Sequence, residues 1–412
     1  MNVDIERFIE EYNELSKIGR KDDGGITRLA FSDVDFEFRE RFKEICNELD
    51  LDVNEDGAGN IWARKNGIDE TSEHIIIGSH IDTVQSGGAY DGTLGVMSGL
   101  EVIRMLKENN VCHKHSIDVV VFSVEESSRY DISTVGSKLI TGKVSPKVLK
   151  NYCDAAGKSL YNELIRNNFD PNDLVDSMKR VETAKCFFEL HIEQGPILEA
   201  NMCSIGIVEG IAAPIRLKVN ILGSDAHSGA CPMAMRKDAL TVASQIILDV
   251  ETIANRESQH KTVATIGKCV VLNGAMNKVP GEVELYIDIR GIDRGSMMTS
   301  LGKIRLDIDT VCKLKDLDYK IAVLCDEYPV TLNSKLNELV EESCKRLELK
   351  YMKIVSGAGH DTMNIVDKTD ATLIFIPCKN GVSHNKNEDV KKLDIENGIK
   401  LLYDVIYQVS NE

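Results

Sequence analysis

The spacing of apolar and polar positions changes along this chain, and the changes mark out its elements. Ile5, Phe8, Ile9, Tyr12, Leu15 and Ile18 recur at helical spacing with acids between them, predicting an amphipathic surface helix over residues 4–18. A loop, Gly24 to Ser32, follows, and Ser32 is suited to cap a helix over about 33–49. Short apolar runs predict buried strands at 61–64, 75–78 and 117–124, with a helix at about 95–107 before the last. Residues 187–194 alternate apolar with polar and are stopped by Gly195-Pro196, and a further apolar strand is predicted at 372–376. Strands alternating with helices predict an α/β layer: a mixed, mostly parallel sheet with flanking helices, whose ligands gather at the carboxyl ends of strands.

From about 210 to 330 the pattern differs. Strands at 215–222, 270–272, 282–288 and 319–324 are separated by long helical patterns near 234–256 and 295–315. Two helices on one face of an antiparallel sheet make a compact two-layer α+β unit. The predicted organisation is a discontinuous domain, 1–210 with 330–412, carrying an inserted domain at 211–329.

Bulk properties narrow the function. At 412 residues the chain is long enough for two cores. A net charge of −17 argues against nucleic acid or an anionic membrane as partner, and leaves room for a small-molecule substrate held in a local pocket. Residues 1–6 lack the basic and apolar regions of a leader, and no apolar run reaches membrane-spanning length, so the expectation is a cytoplasmic enzyme. Eleven cysteines without a Cys-x-x-Cys pair suit free thiols in a reducing compartment.

The chemistry concentrates at strand ends. His80 and Asp82 lie two apart on an extended chain and share a side, giving a metal-capable imidazole and a carboxylate able to hold its other nitrogen or steer a catalytic group. Gly87, Gly88 and Gly92 let the next loop fold back and bring Asp91 to the same point. The strand at 117–124 ends in Glu125-Glu126; neighbouring residues diverge, so one carboxylate can bind a metal while the other moves a proton. Glu189, His191 and Glu193 form the polar side of the strand at 187–194, which a solvated strand face explains equally well. His384, in the loop after 372–376, is a second candidate imidazole ligand.

In this order, His80, Asp91, Glu125-Glu126, His191 and His384 resemble the dinuclear-metal peptidase and aminoacylase superfamily, and within it the amidase, hydantoinase/carbamoylase family. The phrases that carry the resemblance span nearly the whole chain: GSHIDTVQSGGAYDG, EESSRY, ELHIEQGP, HSGACPM followed by Arg236 to Ala239, Asn277 to Gly281, Asp288 to Arg290, SGAGHD and NGVSHN. The resemblance implies two divalent metal ions per subunit, one held by His80, Asp91 and His191 and the other by Asp91, Glu126 and His384, with Asp91 bridging. Imidazole and carboxylate ligands suit Zn²⁺ or Mn²⁺, and also Co²⁺ or Ni²⁺. Glu125 would be the general base and Asp82 the orienting carboxylate behind His80, and a cis peptide is implied at Asp91-Gly92.

By the same resemblance the inserted domain is a lid and dimerisation domain. Arg290 would clamp a substrate carboxylate with its planar fork, and Asn277 would hydrogen-bond the same substrate. His227 resembles a residue that reaches a neighbouring subunit's site and steadies the oxyanion, implying a homodimer. Gln194 and Gly359 would lie near the pocket. The implied reaction is hydrolysis of a linear amide C–N bond, foremost the carbamoyl group of an N-carbamoyl-L-amino acid, giving amino acid, CO₂ and ammonia. Allantoate or another ureido acid is the alternative. An aminoacylase or dipeptidase is disfavoured by His191, where many peptide-cleaving relatives use a carboxylate, and a non-catalytic metal-binding relative by the retention of Glu125 and every ligand. Ala213-Pro214 stands where allantoate hydrolases typically place Gly-Gln, which tilts the expectation away from allantoate. His227-Ser228-Gly229-Ala230-Cys231-Pro232-Met233 keeps the histidine of its phrase and alters its surroundings, and Tyr130 replaces a common phenylalanine.

Overall fold

Ile75, Ile76 and Ile77 set the layout of the larger part of the molecule. Successive strand side chains leave on opposite faces, so Ile75 and Ile77 enter one apolar core while Ile76 enters another. The computed structural model describes residues 3–69 and 73–411; Met1 and Asn2, where the leader reading began, lie outside them. The chain divides into two units, one formed by Met1–Glu209 and Leu332–Glu412, the other by Gly210–Thr331.

In the first unit four parallel strands lie in the order Ile117–Phe122, His74–His80, Ala184–Ile192 and Ala371–Ile376. Antiparallel strands flank them, Ile61–Lys65 and then Asp52–Glu55 on one side and Ile205–Ile211 on the other. A parallel sheet needs cover on both faces. Here one face is covered by the helices Ile5–Leu15, Asp33–Glu48, Thr93–Glu108, Ser334–Arg346 and Lys392–Val409, and the other by shorter helices between Val135 and Glu182. Ser32 caps its helix as expected, its hydroxyl accepting from Asp35 N at 3.3 Å. The strand Ala184–Ile192 differs from a half-wet strand: Glu189 and His191 are buried along with its apolar residues.

The second unit is a four-stranded antiparallel sheet in the order Asp318–Asp326, Ala213–Leu222, Glu282–Gly291 and Val263–Val271. Helices Ala239–Glu257 and Arg294–Leu314 cover one face, where Leu217, Val219, Leu285 and Ile287 meet them. The first helix starts later than its apolar pattern because Asp238 caps it, accepting from Leu240 N and Thr241 N. Val263–Val271 is longer than the expected strand; its largely exposed residues give a weak apolar signal, and pairing with Glu282–Gly291 defines it.

All eleven cysteines are free thiols, six of them buried. No helix among the described residues is long and apolar enough to cross a membrane.

Candidate metal centre

Four segments of the first unit converge at the carboxyl ends of the parallel strands. His80 ends its strand, His191 is the second-to-last residue of the next, and Glu125 and Glu126 follow the strand Ile117–Phe122. His384 enters from the loop after Ala371–Ile376, and Asp91 from the glycine-rich loop.

Asp91 stands at the middle. Its Oδ1 lies 3.1 Å from His191 Nε2 and 3.7 Å from His80 Nε2. Its Oδ2 lies 3.0 Å from His384 Nε2, which is also 3.1 Å from Glu126 Oε1. Two three-residue donor sets result, His80–Asp91–His191 and Asp91–Glu126–His384, each with its ligand atoms within 4.8 Å of one another. These are the two sets implied by the resemblance. A third grouping, Glu189–His191–His360, is already satisfied internally: Glu189 accepts from Ser79 Oγ, Thr362 N and Thr362 Oγ1, and His360 Nε2 pairs with Ser356 Oγ.

The donor set suits divalent cations, and the imidazole tautomers show it. His80 Nδ1 lies 3.0 Å from Asp82 O and His191 Nδ1 lies 2.8 Å from Ile192 O, so those nitrogens carry the protons and each Nε2 lone pair is turned toward Asp91. Gly92 N donates to His191 Nε2 at 3.1 Å, consistent with that tautomer. Imidazole and carboxylate lone pairs facing each other at 3.0–3.1 Å are stable only with a proton or a cation between them. With protons alone, the hydrogen bonds to Asp91 and then Glu126 push the His384 imidazole up to about 11. Burial pulls His80 down, but Glu125, Asp91 and Asp82 outweigh it and hold it well above its usual range.

A pH dependence follows. In the cation-free protein, a histidine raised above its unfolded pKa of about 6.5 contributes stability that is complete below that value and is lost as pH rises toward the folded one, about 11 for His384. A cation competes with those protons and meets less competition at high pH. The rise in Tm on adding saturating Mn²⁺ is therefore expected to be larger at pH 8.5 than at pH 6, measured by calorimetry; an equal rise at both would refute binding through these imidazoles.

Of the two roles open to Asp82, holding the His80 imidazole or steering a neighbouring catalytic group, its contacts fit the second. Its carboxylate accepts from Glu125 N at 3.2 Å and Glu126 N at 3.0 Å, and its Oδ1 stands 3.7 Å from His80 Nδ1, which it leaves to its own backbone carbonyl. It anchors the Glu125-Glu126 turn. Glu125 Oε2 then lies 3.7 Å from His80 Nε2. Burial, with Glu126 and Asp361 adding to it against the pull of His80, raises the Glu125 carboxyl well above the ordinary carboxylate range.

No peptide bond among the described residues is cis, so Asp91-Gly92 is trans, contrary to expectation. Gly92 makes the turn instead, with φ 66° and ψ −53° and Thr93 N donating to Asp91 O at 2.7 Å, a three-residue γ-turn. Buried Arg28 braces both sides of the loop, donating to Ile81 O and Thr93 Oγ1.

The remaining expected residues are placed as follows. Gln194 takes φ 56° and donates from Nε2 to Asp91 Oδ2 at 2.9 Å, while its Oε1 is buried without a hydrogen-bond partner. Gly359 is exposed, and a Cβ there would meet only Met363 Sδ at 3.5 Å. In the second unit, His227 pairs in register with Lys278, and Ser228 N donates to Asn277 O, so His227 and Asn277 are neighbours. Arg290 is at the other end of the strand Glu282–Gly291, on its helix-free face, with Nε donating to Asp288 Oδ2 at 3.0 Å. Eight residues of strand at about 3.3 Å each put roughly 25 Å between Glu282 and Arg290, and Asn277 precedes the Glu282 end of that strand in the chain. Sequence reasoning did not single out Arg28, His360, Asp361 or Glu388, although His360-Asp361 sit in the SGAGHD phrase; an acid in the His384 loop was the available signal for Glu388.

Fold and donor set are those of a metal-dependent hydrolase. A family model described as peptidase family M20/M25/M40 matches residues 76–408. An N-carbamoyl-L-amino-acid amidohydrolase from Pseudomonas sp. (strain NS671) is 38% identical over 98% of both chains. An allantoate amidohydrolase from Escherichia coli (strain K12) is 34% identical over 96% of both. The crystal structure of an amidase of the hydantoinase/carbamoylase family from Burkholderia multivorans superposes with a TM-score of 0.91 at 30% identity, covering 100% of this chain and 98% of that one. The chain belongs to peptidase family M20/M25/M40 and, within it, to the hydantoinase/carbamoylase amidases. It is a hydrolase of amide C–N bonds.

Proposed function

We propose that this enzyme removes the carbamoyl group of N-carbamoyl-L-amino acids, releasing the amino acid, CO₂ and ammonia, with two divalent cations per subunit. The observation that carries the reading is Asp91 shared between two donor sets, with the Glu125 carboxyl beside one of them. The Pseudomonas relative named for this reaction supports the substrate class. Bound cations supply Lewis acidity toward water and the scissile carbonyl.

The rest falls to the chain's own residues. His80, Asp91 and His191 would hold one cation, and Asp91, Glu126 and His384 the other, with Zn²⁺ or Mn²⁺ favoured. Glu125 accepts a proton from the water that attacks the carbamoyl carbon and delivers it to the leaving nitrogen as the C–N bond breaks. Asp82 keeps Glu125 and Glu126 divergent through their backbone N–H groups.

Arg290 is assigned the substrate's α-carboxylate, and the inserted unit the roles of lid and dimerisation domain. His227, whose Nδ1 accepts from Gly229 N and Ala230 N, keeps its proton on Nε2 as an oxyanion donor. Its place in a short strand of its own, paired with Lys278 and apart from the strand that carries Arg290, supports a homodimer in which His227 serves a second copy's site. Arg290→Ala is expected to raise KM for N-carbamoyl-L-amino acids about 10- to 100-fold, the worth of a charged hydrogen-bonded pair, and to leave KM for amides lacking a carboxylate unchanged; steady-state kinetics on both substrate types checks it.

Allantoate, the substrate named for the Escherichia coli relative, is the second reading. Pro214 sits in register with Arg290 and has neither an amide side chain nor an N–H to offer a ureido group, which favours the first. The deciding experiment is ammonia release by Mn²⁺- or Zn²⁺-loaded protein from N-carbamoyl-L-amino acids, allantoate and N-acetyl amino acids, with a chelated control. Chelator-sensitive activity on the carbamoyl set supports the proposal. Activity on allantoate alone selects the second reading, and silence with metal bound rejects both.

A further inference from the structure

Glu388 belongs to neither donor set, yet the two loops of the centre meet on it. Its Oε1 accepts from Tyr90 N at 2.8 Å and from Asp91 N at 3.1 Å. Its Oε2 lies 2.9 Å from Ser383 Oγ, a hydroxyl that is also 3.1 Å from Asp91 Oδ2. The approach is close: a Cβ on Gly88 would fall 2.1 Å from the Glu388 carboxyl carbon, so only glycine lets the loop close on this side chain. A buried carboxyl is costly without partners, and those of Glu388 all serve the centre.

Two successive N–H groups directed at one oxygen fix the backbone leading into Asp91. Ser383 holds Asp91 Oδ2 from the other side and is covalently followed by His384, whose Nε2 is 3.0 Å from that same oxygen. The other donor set shares Asp91 but has further support of its own, since His80 and His191 lie on buried strands with each Nδ1 tied to a backbone carbonyl.

We infer that Glu388 is a positioning residue for the divalent cation of the Asp91–Glu126–His384 set, holding Asp91 and His384 in register without touching cation or substrate. The inference rests on the two-cation reading above. Its action is geometric, so a side chain that keeps the hydrogen bonds without the charge should preserve it: glutamine can accept from both N–H groups and donate to Ser383.

The test is calorimetric titration of chelator-stripped full-length wild type, Glu388→Ala and Glu388→Gln with Mn²⁺ alone, beside thermal melts of the metal-free proteins. The expected result is two ions bound by wild type, the first retained by Glu388→Ala and the second weakened about 10- to 100-fold, as when a residue behind a metal ligand is lost. Glu388→Gln is expected to bind the second ion within about threefold of wild type. Glu388→Ala binding both ions as tightly as wild type would overturn the inference while leaving the two-cation reading intact. A parallel loss of both binding steps and of metal-free stability in both variants would also overturn it, reducing Glu388 to a general fold residue. A wild type that binds one ion defeats the two-cation reading, and the inference with it.

Discussion

Glu125→Gln is expected to lower kcat about 10²- to 10⁴-fold, the usual contribution of a positioned general base, while the protein binds its cations and melts as wild type does. At about 1.4 kcal/mol per tenfold, this is roughly 3–5.5 kcal/mol of transition-state stabilisation. Glutamine matches the shape of glutamate but cannot take the proton, and the Asp82 hydrogen bonds that place residue 125 go to its backbone N–H, which the substitution keeps. Glu125 is also outside both donor sets. Steady-state kinetics paired with metal analysis checks the result: a near-normal rate with full metal content would remove Glu125 from the base role, and a lost cation would make it a ligand.

Gly92→Ala is expected to cut activity by at least about 100-fold through the metal centre, since misplacing reacting groups by an ångström costs that much. Gly92 sits at φ 66°, where a side chain is strained by about 1–3 kcal/mol. A Cβ there would also lie 2.3 Å from His80 Nε2, the nitrogen turned toward Asp91. Something must shift, and each candidate is a proposed ligand or the loop that carries one. His80 is buried at the end of a buried strand, so the Asp91 loop yields. Metal content after dialysis, read beside a far-UV spectrum, distinguishes this from unfolding. A variant that keeps native metal content and rate would show that the γ-turn is dispensable.

Much of the site was legible in the sequence because its ligands stand at strand ends. Period-2 geometry fixes which residues share a side, so His80 and Asp82 could be paired from spacing alone, and glycines in the next loop signalled that Asp91 folds back. The ELHIEQGP strand was less legible. Alternation of Glu189, His191 and Glu193 with apolar residues reads as a wet face by local pattern, and its burial became visible only once Ser79 and Thr362 were seen to satisfy Glu189. Asp82 shows the same limit, because spacing gives the side a carboxylate is on and cannot say that backbone N–H groups from another strand end claim it.

The sequence by itself determined the α/β and α+β periodicities and the identity of the residues able to bind a cation, since both are written in local spacing and side-chain chemistry. The tertiary structure decided how those residues meet: the trans γ-turn at Gly92, the capture of Asp82 by the Glu125-Glu126 turn, Arg28 and Glu388 bracing the Asp91 loop, and the placing of His227 beside the Asn277-Lys278 segment. These are contacts between segments distant in the chain. Their partners are chosen by packing and by the need to satisfy every buried polar group, which no local pattern encodes.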